Sequence, residues 1–102
     1  MAKQPESRLK EKVLKDLKTI PNTYFIKIQQ VVIRGTPDIL ACVSGRFVAI
    51  ELKKDSTHQP DMRQDYELNK IKKAGGLGFV VTPANWEEVF CILRYSHTSW
   101  PG

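Results

Sequence analysis

The stretch Arg34-Gly35-Thr36-Pro37-Asp38-Ile39-Leu40-Ala41-Cys42-Val43-Ser44-Gly45-Arg46-Phe47-Val48-Ala49-Ile50-Glu51-Leu52-Lys53 reads as a turn, a strand, a tight reversal and a second strand. Asp38 to Val43 and Arg46 to Lys53 are apolar runs separated by Ser44-Gly45, a short hairpin signal. In the second run Val48, Ile50 and Leu52 fall on one face and Phe47 and Ala49 on the other, so this strand is expected to be buried on both sides. A two-residue loop puts Val43 opposite Arg46, and counting back along both strands brings Asp38 opposite Glu51. Side chains alternate between faces, so Lys53 shares the face of Glu51.

Directly opposed carboxylates have Cβ atoms roughly 5 Å apart and cost a few tenths to about 1 kcal/mol unless something compensates them. A divalent cation does so: Mg²⁺ is held by one or two carboxylates, with water and a substrate phosphate in its other positions. A metal can polarise a phosphoryl oxygen and acidify water, and a nearby lysine can stabilise developing charge. The bland alternative makes Glu51 and Lys53 the end of a solvated edge strand and Asp38 a turn cap, but the two-sided apolar character of the strand argues against it.

Outward from the hairpin, Leu9, Val13, Leu17 and Ile20 recur at helical spacing and predict an amphipathic helix from Glu6 to Ile20, ended by Pro21-Asn22. Tyr24 to Ile33 reads as a strand. A second helix is expected from about Asp61 to Lys73, stopped at Ala74-Gly75-Gly76. A strand follows over Leu77 to Thr82, and Asn85 with Glu88 three residues on predicts the N-cap of a third helix reaching about Arg94. The order is αβββαβα, an α/β layer arrangement with a mixed sheet.

Two polar residues sit on apolar stripes. Glu6 shares the stripe of Leu9, Val13 and Leu17, whereas Glu11 falls on the opposite side. It serves either the helix dipole or the carboxylate cluster. Gln64 shares a stripe with Leu68 and Ile71, and it either faces the sheet or closes a capping box with Asp61.

The chain has 102 residues, 16 Lys and Arg against 11 Asp and Glu, and a formal charge of +5. That is one domain's length, and the charge favours a polyanionic partner, nucleic acid first. Cys42 and Cys91 lie in apolar runs and are expected in the core as free thiols. No run is long and apolar enough for a membrane span, the N-terminus lacks a secretory pattern, and a reducing cytoplasmic location is expected. His58 and His97 have no partner at metal-ligand spacing and are expected at the surface. Trp86 is expected to pack at the start of the third helix. No phosphate-cradling glycine loop and no Ser or Cys nucleophile arrangement is present, which speaks against an enzyme of small phosphorylated molecules.

Taken together, Gly35-Thr36-Pro37-Asp38, the apolar hairpin and Glu51-Leu52-Lys53 resemble the PD-(D/E)XK nuclease motif. With Gln64 and Ala74-Gly75-Gly76 added, the chain from roughly Glu6 to Val81 resembles the VRR-NUC branch, including stand-alone phage-type, Holliday junction resolvase-like nucleases. Pro-Asp and Glu-x-Lys are common alone; their order and strand context carry the signal. One departure is Val31-Val32-Ile33-Arg34, with a single arginine where the branch has a pair. The resemblance implies a restriction-endonuclease-like αβββαβ core with a mixed central sheet and an additional C-terminal helix. Residues 1–95 would form a single nuclease domain and 96–102 a flexible tail.

It further implies Mg²⁺, with Mn²⁺ as a substitute, held by Glu6, Asp38, Glu51 and the Leu52 carbonyl. Lys53 would be the catalytic lysine and Gln64 the glutamine facing the site. The implied activity is endonucleolytic hydrolysis of DNA, branched or four-way, by a homodimer in the cytoplasm, that of the host where a member is phage-encoded. Two other readings stay open: a nuclease of linear or nicked DNA, and a non-cleaving nucleic-acid-binding module of nuclease ancestry. In each, Arg34, Arg46, Lys54, Lys70, Lys72 and Lys73 are candidates for phosphate contacts.

Overall fold

The computed structural model describes residues 5–29, 33–55, 57 and 60–95, without the side chains of Pro5 and Glu6. Its elements are α1 (Pro5–Leu17), β1 (Thr23–Lys27), β2 (Ile39–Val43), β3 (Arg46–Leu52), α2 (Met62–Lys73), β4 (Leu77–Val81) and α3 (Trp86–Tyr95). The strands form one sheet in the order β1-β2-β3-β4, with β4 parallel to β3 and the other pairs antiparallel. This is the expected αβββαβ core followed by a further helix. The parallel β3–β4 pair requires a crossover, and α2 provides it.

At the hairpin tip Ser44 and Gly45 have φ of 49° and 85°. Two positive φ values make a turn whose twist matches that of the flanking strands. Val43 stands opposite Arg46 and Ile39 opposite Ile50, so one step further along each strand sets Asp38 beside Glu51.

On one face of the sheet, Ile39, Ala41, Val43, Val48, Ile50, Leu52 and Val81 join Leu9, Val13 and Leu17 of α1 and Trp86, Val89 and Leu93 of α3 in a single core. The indole of Trp86 also donates to Asp16 Oδ2 at 2.8 Å, fastening α3 to α1. The second face is covered by α2 over β3 and β4, where Leu68 and Ala49 are buried. Ala49 stands beside Gly78, so small residues lie where the helix approaches the sheet.

Several expectations are corrected. The first helix ends at Leu17 rather than Ile20, although a turn bonded from Ile20 N to Leu17 O at 3.1 Å keeps Ile20 buried. The first strand stops at Lys27, not Ile33. Its ladder with β2 runs on by one bond, Ile28 N to Asp38 O; the next donor on the β1 side, the Thr36 N–H, turns instead to the Ile33 carbonyl at 3.2 Å. Cys42 and Cys91 are exposed. Cys42 lies on β2, on the second sheet face, whereas α2 packs over β3 and β4; membership of an apolar run did not determine the covered side. Asn85 turns its side chain back onto β4, accepting from Thr82 N at 2.7 Å and donating to Val80 O at 2.9 Å, instead of capping α3. His58, His97, residues 96–102 with Trp100, and the Glu6 side chain lie outside the described residues. No described helix is long and apolar enough to cross a membrane.

The loop entering β2 is pressed against the start of α2. Gly35 has φ of 88°, and a Cβ there would lie 2.5 Å from the Arg63 carbonyl oxygen. Gly35→Ala must therefore accept a left-handed backbone and push the loop off the helix. It is expected to lower unfolding free energy by about 1–3 kcal/mol, read by urea denaturation. An unchanged midpoint would show that the loop does not need this contact.

Candidate active site

Asp38 immediately precedes β2 and is held from two sides. Its carbonyl accepts from Ile28 N at 2.8 Å, and its Oδ2 accepts from Leu52 N at 2.8 Å. The carboxylate thus bridges the entry of β2 to the end of β3, while the main chain that carries it is held from the other side by Ile28. Glu51, the next-to-last residue of β3, is 3% exposed. Its Oε1 accepts from Gln64 Nε2 at 2.9 Å and lies 3.9 Å from Lys53 Nζ. Its Oε2 is buried with no hydrogen-bond partner.

Gln64 fulfils both roles considered for it. Its Oε1 accepts from Asp61 N at 3.0 Å while Asp61 Oδ1 accepts from Gln64 N at 2.8 Å, a complete capping box, and its Nε2 remains for Glu51. One amide closes the helix start and reaches the sheet.

Burial pushes the Glu51 carboxyl up to about 8; the charge of Asp38 adds to the rise, and Lys53 opposes it. A buried acceptor without a donor is uncommon and costly. Positive charge between Asp38 and Glu51 would satisfy Oε2 and let Glu51 ionise. Among the described residues no group of three or more His, Cys, Asp and Glu side chains is clustered for a metal. The donor set on view is two carboxylates and the adjoining main chain of Leu52.

Beside these acids is a small cavity of about 130 Å³ lined by Ser7, Lys10, Asp38 and Leu52. The first turns of α1 therefore wall the site. Ser7 and Lys10 were not picked out from the sequence; the available signal was their position beside Glu6 and Leu9 at the margin of the buried stripe.

A solved structure of a VRR-NUC domain matches this one with a TM-score of 0.75 at 23% sequence identity, over 93% of this chain and 100% of that one. The fold is that of a VRR-NUC domain. No protein-family model and no curated protein matches the sequence. On this VRR-NUC fold the four central residues Asp38, Glu51, Lys53 and Gln64 meet, whereas the cations are scattered. Lys54 is exposed just beyond Lys53, and Arg34 lies by the start of α2. Arg46 is at the hairpin tip, about 17 Å of strand from Glu51, where its Nε donates to the Gly75 carbonyl. Lys70, Lys72 and Lys73 occupy the last turn of α2, with Lys73 about 13 Å along the helix from Gln64.

The raised Glu51 carboxyl has a measurable consequence. Folded chain keeps a proton between about pH 4.5 and 8 that unfolded chain has released, so its contribution to stability is complete below that window and disappears as pH rises through it. In EDTA, wild type should lose on the order of a few kcal/mol relative to Glu51→Gln from pH 5 to 8, measured by urea denaturation. Parallel pH profiles for the two proteins would contradict the assignment.

Proposed function

We propose that this protein is a divalent-metal-dependent endonuclease that hydrolyses DNA phosphodiester bonds, with branched DNA such as a four-way junction as its preferred substrate. The observation that carries the reading is the buried, partnerless Glu51 Oε2 beside Asp38, with Lys53 next to it, on a VRR-NUC fold. Mg²⁺, or Mn²⁺ in its place, fits a pair of carboxylates plus a carbonyl. Asp38, Glu51 and the Leu52 carbonyl would hold it, with Glu6 as the further acid. When bound, such an ion supplies charge neutralisation at the phosphate and lowers the pKa of water.

The chain's own residues do the rest. Asp38 is aimed by the Leu52 N–H, and Gln64 restrains Glu51 through Oε1, so both acids are preorganised before substrate arrives. The Lys53 ammonium, 3.9 Å from Glu51, stands where it can neutralise charge that builds on the phosphoryl oxygens as water adds to phosphorus and the P–O bond to the leaving sugar breaks. Lys10, on the cavity wall, offers a second cation to the phosphate. A homodimer would supply the two cuts a junction needs, since the described residues of one chain form one such site. The net charge of +5 suits a phosphate backbone and makes affinity fall steeply with salt.

The test is cleavage of a labelled four-way junction and a matched linear duplex in Mg²⁺, Mn²⁺ or EDTA. Wild type should cut the junction faster than the duplex, only with metal, and Asp38→Ala and Lys53→Ala should each lose about 100-fold or more. Mg²⁺ should also raise the melting temperature of wild type and not of Asp38→Ala. Full activity of Asp38→Ala, or activity in EDTA, overturns the proposal. DNA binding without any cutting would instead support the non-cleaving module.

A further inference from the structure

On the outer side of the first turns of α2, away from Glu51, is an open groove of about 550 Å³ lined by Arg34, Asp61, Met62, Arg63 and Tyr66. Nothing in the proposed cutting reaction uses it. We propose that this groove binds an unpaired nucleotide of the DNA substrate, its base against Met62 and Tyr66 and its phosphate against Arg34 and Arg63. The inference rests on the nuclease reading for the identity of the polymer.

Four observations support it. Met62 is 90% exposed and Tyr66 is 51% exposed; large apolar side chains displayed together on a soluble domain mark a contact surface. The cations are preorganised as well. The Arg63 guanidinium lies 5.3 Å from the centre of the Tyr66 ring, as does the Lys70 ammonium, and Arg63 Nε donates to the Arg34 carbonyl at 3.2 Å. Asp61, the acid on the rim, is already engaged by the N–H of Gln64 in the helix cap. The volume also falls in the range of about 300–1,000 Å³ typical of small-ligand sites.

Position makes the groove part of the same substrate track. Arg34 is separated from Asp38 only by Gly35-Thr36-Pro37, and Arg63 adjoins Gln64, so the loop and the helix turn that carry the site's polar groups also build the groove. A fully paired duplex offers phosphates and groove edges but hides the faces of its bases. A combination of an aromatic ring, a thioether and two guanidinium groups matches a base face with its phosphate, the surface presented by single-stranded DNA. Lys72 and Lys73 in the last turn of α2, by contrast, are not among the groove's lining and offer charge alone.

The experiment is fluorescence anisotropy in EDTA, with a labelled duplex bearing a short single-stranded extension and a fully paired duplex of equal length. Tyr66→Ala and Met62→Ser are each expected to weaken binding of the extended DNA about fivefold or more and of the paired duplex less than about twofold, while Tyr66→Phe retains wild-type affinity. Met62 is so exposed that its replacement leaves the core untouched, which keeps the test open if Tyr66→Ala unfolds. Unchanged affinity of Met62→Ser, or equal losses on both DNAs, overturns the groove. The same preparations are assayed for cutting in Mg²⁺. Wild-type cutting together with unchanged Met62→Ser affinity removes the groove and leaves the nuclease; wild type that neither cuts nor binds removes both.

Discussion

The register of the β2–β3 hairpin is the constraint on which the site depends. Side chains alternate with a period of two, so a slip of one residue would carry Glu51 and Lys53 into the α1–α3 core and bring Val48 and Ile50 to the α2 side. The tight turn at Ser44-Gly45 prevents that slip by admitting one pairing, Val43 with Arg46. Six residues away along the chain on either side, the acid pair is held by the geometry of that turn. The Leu52 N–H to Asp38 bond then locks the far end, so the hairpin is pinned at both extremities.

Burying a carboxylate at the end of a strand is unfavourable, and the surroundings of Glu51 limit the cost without removing it. The side of β3 that carries Ala49 and Glu51 is roofed by α2, which sits over Ala49 and Gly78 and brings Gln64 within 2.9 Å of the acid. One oxygen is thereby satisfied and the other is left buried without a hydrogen-bond partner. Local disagreement of this kind, in an otherwise consistent fold, is the usual mark of a functional position.

Much of this is legible in the sequence. The turn dipeptide and the strand alternation located Asp38, Glu51 and Lys53 relative to one another, and helical phase turned Gln64 inward, because these are local, periodic properties of the chain. What failed was the reach of one element over another. Cys42 stands exposed because α2 roofs β3 and β4 and leaves the β1–β2 side of that face uncovered, a fact no run of apolar residues records. β1 is cut short from across the sheet, where the Thr36 N–H turns to the Ile33 carbonyl instead of the ladder. Ser7 and Lys10 joined the site wall through tertiary placement of α1. Arg46 belongs to the hairpin tip, where its guanidinium serves the end of α2. Charge counting could not see which cations share an end of the molecule.

The doubled role of Gln64 makes the beginning of α2 and the acid of β3 a single mechanical unit. Fraying of the first helical turn cannot occur without withdrawing the donor from Glu51, and any event that draws Glu51 away loads the same amide that closes the cap. The electrostatic state of the site is thereby written into the backbone some residues away, where slow exchange of the Gln64 amide proton with solvent deuterium would register it.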